Sequence, residues 1–101
     1  MNDESTLSGK ICLVTGATAG IGKVTAAALA ARGATLVIAG RNPQKTAAAA
    51  RKISAASGAP VDFLLAEFTY LDQVRAMAAE FKRRYPRLDV LVNNAGAYFT
   101  H

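Results

Sequence analysis

No aspartate or glutamate occurs between Glu4 and Asp62, although Lys10, Lys23, Arg32, Arg41, Lys45, Arg51 and Lys52 all fall in that span. A segment so cationic suits a small polyanion. The chain has one cysteine, Cys12, which excludes an internal disulfide. Its place in "KICLVT" is that of a small buried strand residue, and no sequence neighbour is suited to stabilise a thiolate. No apolar run approaches the roughly 20 residues of a membrane span, and the polar, partly acidic start "MNDESTLSGK" is not a signal peptide. The expectation is a cytoplasmic protein with no membrane span. The net charge of +5 raises the question of nucleic acid, but the 12 Lys and Arg are scattered, with one short run at Lys82, Arg83 and Arg84. Aromatic side chains are not interleaved with them as base stacking requires. These charges read as solvated helix faces, so no nucleic-acid partner is expected.

What is present is a modest core. The 101 residues are 51% apolar, enough for one domain or a piece of one. A chain of this size buries roughly 60 to 70% of its unfolded surface, which suffices only if both faces of any sheet are covered. Residues 1–8 read as a polar tail and 9–101 as the domain. Short, nearly continuous apolar runs alternate with helical patterns. Strands are expected at Lys10 to Thr15, Thr35 to Ala39, Val61 to Ala66 and Asp89 to Asn93. The first helix runs from Gly20 or Ile21 to Arg32 and is stopped by Gly33. Close packing is expected along its Ala26, Ala27, Ala28, Ala30 and Ala31. The second has Asn42 as N-cap, Pro43 at the first helical position and Gly58 past its end. The third begins at "TYLD", where Thr69 and Asp72 suit a capping box, and carries Leu71, Val74, Met77, Ala78, Phe81 and Tyr85 on one face before Pro86 ends it. This alternation means a parallel sheet with right-handed crossovers.

The turn joining the first strand to the first helix is "TGATAGIG", with Gly16, Gly20 and Gly22 spaced G-x-x-x-G-x-G. It lies at the carboxyl end of a strand, where open parallel sheets bind ligands. Gly16 allows a sharp turn, Gly20 lets backbone amides approach a phosphate, and Gly22 allows the helix to pack closely on the sheet. A helix N-terminus carries free N–H groups and about half a positive charge, so a pyrophosphate there needs no side-chain cation. A tight turn without a ligand is the plain alternative. A phosphate loop of the G-x-x-x-x-G-K-[ST] kind is excluded, because Ala17 stands where its first glycine belongs and Val24 where its hydroxyl belongs.

"TGATAGIG" at Thr15 to Gly22, together with "LDVLVNNAG" at Leu88 to Gly96, resembles the short-chain dehydrogenase/reductase family, from Gly9 onward. "GATAGIGKVTAAALAARGATLVIAGRNPQK" is further similar to its retinol dehydrogenase-like branch. The resemblance implies an α/β Rossmann-type sheet of strand order 3-2-1-4 with helices on both faces, truncated after the fourth strand. It implies a nicotinamide cofactor contacted by Gly16, Thr18, Ala19, Gly20, Ile21 and Gly22, and lined by Asn94, Ala95 and Gly96, with Thr15 tying the Asn-Asn-Ala-Gly segment to the turn. Asn93 and Asn94 equally suit a purely structural turn. Glu67 and Phe68 stand where the family often has an Asp and an apolar residue touching adenine. The substrate implied is a small carbonyl or alcohol compound, which Tyr98 and Phe99 are placed to touch.

NAD enzymes of this fold place an acid about 20 residues beyond the glycine turn. This chain has Ala39, Gly40, Arg41 and Asn42 there. Arg41 suits a 2′-phosphate, so NADP(H) is expected over NAD(H), although Ala19 stands where some NADP-using relatives carry a base and a solvated Arg41 is the plainer reading. The family's proton-moving pair, a Tyr with a Lys four residues on, is missing: Val74 follows Tyr70, Asp89 follows Tyr85, and His101 stands alone at the end. No catalytic residue is assigned. Two readings remain, the cofactor-binding part of an oxidoreductase or a non-catalytic dinucleotide-binding module. The bare "DVLVN" edge points to association with further copies, a homo-oligomer.

Overall fold

The structure, a computed structural model, describes residues 6–94. Four strands, β1 (Ile11–Thr15), β2 (Thr35–Gly40), β3 (Val61–Leu65) and β4 (Val90–Asn93), alternate with helices α1 (Gly20–Ala31), α2 (Pro43–Ser57) and α3 (Leu71–Arg84). All pairings are parallel and the order is β3-β2-β1-β4, as expected. Each strand edge falls within one residue of the sequence reading. Lys10, Ala66 and Asp89 drop out and Gly40 joins β2, where its carbonyl accepts from Ala66 N at 2.9 Å.

Strand side chains alternate between two cores. Cys12, Val14, Leu36 and Ile38 face α1 and α2, meeting Ala26, Ala30, Ala49, Ala50 and Ile53. Ile11, Leu13, Val37, Ala39 and Leu64 face α3, meeting Met77 and Phe81. Burial raises the Cys12 thiol above its ordinary pKa, and the Asp89 charge adds to this, in keeping with an inert core thiol. The alanine stripe of α1 is narrower than expected. Gly22, Ala26 and Ala30 are buried, whereas Ala27, Ala28 and Ala31 are exposed. A four-residue spacing keeps the first three on one line along the helix, and the others rotate roughly 100° or more away.

Helix α2 begins and ends as its sequence dictates. Asn42 Oδ1 accepts from Lys45 N at 2.9 Å, Pro43 opens the helix, and Gly58 closes it in the left-handed region with φ of 78°. Helix α3 corrects the sequence reading. Tyr70 is its N-cap and makes no side-chain cap bond, so Thr69 and Asp72 sit one register step too early for a capping box. The Thr69 hydroxyl donates instead to Glu67 Oε2 at 3.1 Å. The buried stripe of α3 is also narrower: Met77 and Phe81 are buried, Val74 and Tyr85 half-buried, and Leu71 and Ala78 exposed. Leu71 and Ala78 lie roughly 100 to 120° round the helix from Met77, beyond the strip that reaches the sheet.

Two polar clamps hold the sheet margins. Asp89 Oδ2 accepts from Ile11 N at 2.8 Å, and Arg87 bridges the Asp89 carboxylate and Gly9 O, strapping the start of β4 to the start of β1. At the opposite margin Asp62 accepts from the Tyr85 hydroxyl at 2.6 Å and from Arg84 Nη1 at 2.9 Å, fixing the end of α3 to β3. Burial, then the Asp62 carboxylate, push the Tyr85 hydroxyl up to about 12 from 10.0. The protonated tyrosine is the bonded form, so its contribution is whole below pH 10 and is lost as pH rises towards 12. Tyr85→Phe is expected to cost about 1 kcal/mol at neutral pH, the low end for a bond to a partly exposed carboxylate. Urea unfolding of both proteins at neutral pH and at pH 12 checks this: the gap should close at the higher pH.

Candidate dinucleotide site

The candidate site lies at the carboxyl ends of the strands. β1 stops at Thr15 because Gly16 turns the chain with φ of 66°, while Gly16 N still donates to Ala39 O at 3.1 Å. The Thr15 hydroxyl donates to Asn93 Oδ1 at 3.0 Å, which ties the end of β4 to the turn. Gly20 is left-handed at φ 61°, and a Cβ built on it meets nothing within 4 Å. Its missing side chain therefore faces open space at the start of α1. Ala19, the N-cap, supplies no side-chain acceptor, and the first turn holds no acid. The amide end of α1 thus has no side-chain acceptor of its own among the described residues.

Gly22 has a different task. A Cβ there lies 2.1 Å from Gly16 O and 3.0 Å from Asn94 Nδ2. It packs on the turn and on the end of β4, rather than simply on the sheet face. Asn94 Nδ2 is buried against it without a hydrogen-bond partner among the described residues. Thr18 is half-buried, and its methyl approaches the empty side of Gly40. Ile21 is 78% exposed beside the open space at Gly20. Ala95, Gly96, Tyr98 and Phe99 lie outside the described residues.

At the end of β2, Arg41 extends from the sheet with 76% of its side chain exposed. Asn42 is beside it, with Oδ1 committed to capping α2. The local sequence contains no acid, yet the fold brings one: Glu67 Oε1 lies 3.5 Å from Arg41 Nη1. β2 and β3 pair in parallel with Gly40 opposite Leu65, so the residues just past each strand emerge side by side. Nothing in the sequence around either residue announces the pair. The parallel crossover was the available signal. Desolvation raises the Glu67 carboxyl, but the Thr69 hydrogen bonds and the Arg41 charge outweigh it and hold the pKa below the ordinary value. Phe68 turns inward and packs against the α3-side core. Thr46 was also missed. Its hydroxyl is buried without a partner and sits 2.5 Å from where a Gly40 Cβ would be, so Gly40 is what allows α2 to close on β2.

Two open clefts flank the outer strand β3, one of about 440 Å³ beside α3 and one of about 530 Å³ beside α2. Both are lined by residues remote from the glycine turn. Among the described residues, no group of three His, Cys, Asp or Glu side chains is arranged to hold a metal, and no helix is long and apolar enough to cross a membrane.

Known proteins share this arrangement. A family profile described as short chain dehydrogenase matches residues 10–101. Dehydrogenase/reductase SDR family member 13 of Homo sapiens is 45% identical over 91 residues, which covers 89% of this chain and 24% of that protein. The 3beta-hydroxysteroid dehydrogenase of Mediterraneibacter gnavus is 45% identical over 87 residues, covering 86% of this chain and 31% of that one. Among solved structures, the Pseudomonas aeruginosa RhlG/NADP active-site complex superposes with a TM-score of 0.86 at 33% identity, over 93% of this chain and 37% of that one. L-Sorbose reductase from Gluconobacter frateurii, complexed with NADPH and L-sorbose, gives 0.84 at 30% identity, over 91% and 35%. The chain thus spans between 24% and 31% of the length of the two curated relatives. It belongs to the short chain dehydrogenase family, whose amino-terminal part it covers.

Proposed function

We propose that the glycine turn receives the pyrophosphate of NADP(H), that Arg41 receives its 2′-phosphate, and that the whole protein is an oxidoreductase interconverting a carbonyl compound and its alcohol. The observation that carries this is Gly20: left-handed, with open space where a side chain would stand, at an α1 N-terminus that no side chain caps. The residues fit a dinucleotide. Backbone N–H groups of the first turn of α1 would hold the phosphates, with Asn94 beside Gly22 and Thr18 beside Gly40. A nicotinamide bound there supplies or accepts the hydride. Preference for NADP(H) over NAD(H) draws support from the exposed Arg41 guanidinium and from relatives solved with NADP and NADPH.

The adenosine half of the cofactor tests the site directly. 2′,5′-ADP and 5′-ADP are titrated while the amide resonances of Gly16, Gly20, Gly22 and Arg41 are followed. 2′,5′-ADP is expected to bind roughly tenfold or more tightly than 5′-ADP, because a hydrogen bond to a charged group contributes about 1.5 to 3 kcal/mol. Equal affinities would remove the 2′-phosphate assignment, and unmoved glycine resonances would remove the site.

A further inference from the structure

The Arg41–Glu67 pair is asymmetric. Glu67 is the fixed member: its backbone N–H donates to Gln73 Oε1 at 2.7 Å, its Oε2 accepts from the Thr69 hydroxyl at 3.1 Å, and its side chain is 26% exposed. Arg41 is the free member, 76% exposed, and reaches Glu67 Oε1 with Nη1 at a loose 3.5 Å. So exposed a pair contributes little to folding. Its consequence is electrostatic, and it falls on whatever anion Arg41 meets.

We propose that Glu67 is a specificity-determining residue that competes with the 2′-phosphate for Arg41 and so restrains the preference for NADP(H). This rests on the reading of Arg41 as the phosphate partner. A phosphate that takes the guanidinium must draw it from the carboxylate, and the carboxylate, held by the Thr69 hydroxyl on a backbone that Gln73 fixes, cannot retreat far. The phosphate then stays within a few ångströms of a like charge. A cofactor without the 2′-phosphate meets no such repulsion. Glu67 therefore narrows the difference between the two cofactors without touching either phosphate.

The test is a double-mutant cycle on Glu67→Gln and Arg41→Ala, with dissociation constants for 2′,5′-ADP and 5′-ADP as readouts. Glu67→Gln keeps the shape and the Thr69 contact while removing the charge. It is expected to raise the ratio of the 5′-ADP to the 2′,5′-ADP dissociation constant about fivefold, the size of one like-charge contact near 4 Å in water, any contact with the shared adenine cancelling in that ratio. In the Arg41→Ala background the same change should leave the ratio of the two constants much closer to unchanged. Glu67→Asp, with a shorter reach to Arg41, gives a second variant should the first prove unstable, and an intermediate ratio is expected. A Glu67→Gln ratio equal to or below that of the unaltered protein overturns the proposal. If Arg41→Ala itself leaves the ratio unaltered, the parent reading of Arg41 fails, and that outcome is distinct because it appears without any change at Glu67.

Discussion

Gly22→Ala is expected to unfold the glycine turn, whereas the bulkier Gly20→Val leaves the sheet standing and removes the ligand. The smaller side chain does the greater structural damage because of what it meets. A Cβ at Gly22 falls 2.1 Å from Gly16 O and 2.8 Å from Gly16 C, both backbone atoms at the sharpest point of the turn. Neither can swing aside as a side chain would. Helix α1 must lift from the turn, at a cost of about 3 kcal/mol or more, out of a stability of about 5 to 15 kcal/mol for a domain. At Gly20 the new side chain enters open space, and the fold bears only the left-handed backbone cost of about 1 to 2 kcal/mol. That open space is where the pyrophosphate is proposed to lie, so dinucleotide affinity should fall by roughly a hundredfold, about 2.7 kcal/mol. Thermal melts and 2′,5′-ADP titrations of the two variants check both halves. Similar melting temperatures would show that Gly22 does not bear on the turn, and retained affinity in Gly20→Val would show that the glycines serve folding alone.

Arg41→Asp should reverse the cofactor preference. Loss of a charge-assisted hydrogen bond costs about 1.5 to 3 kcal/mol, and a carboxylate facing the phosphate adds about 1 kcal/mol. Together these weaken NADPH by roughly a hundredfold or more. NADH, which has a hydroxyl in place of the phosphate, should change by only a fewfold. The new charge would also stand beside Glu67, setting two acids together where a cation and an acid now pair. Dissociation constants for both cofactors decide it, and equal losses would show that Arg41 does not read the phosphate.

Legibility from the sequence followed locality. The caps of α2 were readable because Asn42, Pro43 and Gly58 act on backbone groups within four residues of themselves. The sheet order came through resemblance and the strands through their apolar runs. The start of α3 was misread by one residue, since the backbone bond from Tyr70 N to Glu67 O, at 3.0 Å, sets the register and no residue type announces it. Ala27, Ala28 and Ala31 were misread because alanine is apolar enough to be buried and small enough to be left exposed. Arg41 and Glu67 are 26 residues apart, and only the parallel crossover of β2 and β3 joins them. Gly20 and Gly22 look alike in sequence. Their environments, one empty and one filled by Gly16, separate their roles.

The strap formed by Asp89 and Arg87 closes a loop of 78 residues, the same separation as the Thr15–Asn93 bond at the other end of the β1–β4 pair. Closing so long a loop is entropically costly and slow, so of these four strands β4 is expected to dock last and leave first. Amide hydrogen exchange along the sheet then forms a gradient. Protons of β1 and β2, buried between their neighbours, are expected to exchange only on wide opening, and those of Val90 to Asn93 through a local release that leaves β3-β2-β1 assembled. Because Thr15 holds Asn93, each such release also loosens one wall of the glycine turn, so a bound dinucleotide would slow exchange in a strand that lies beside the turn rather than within it.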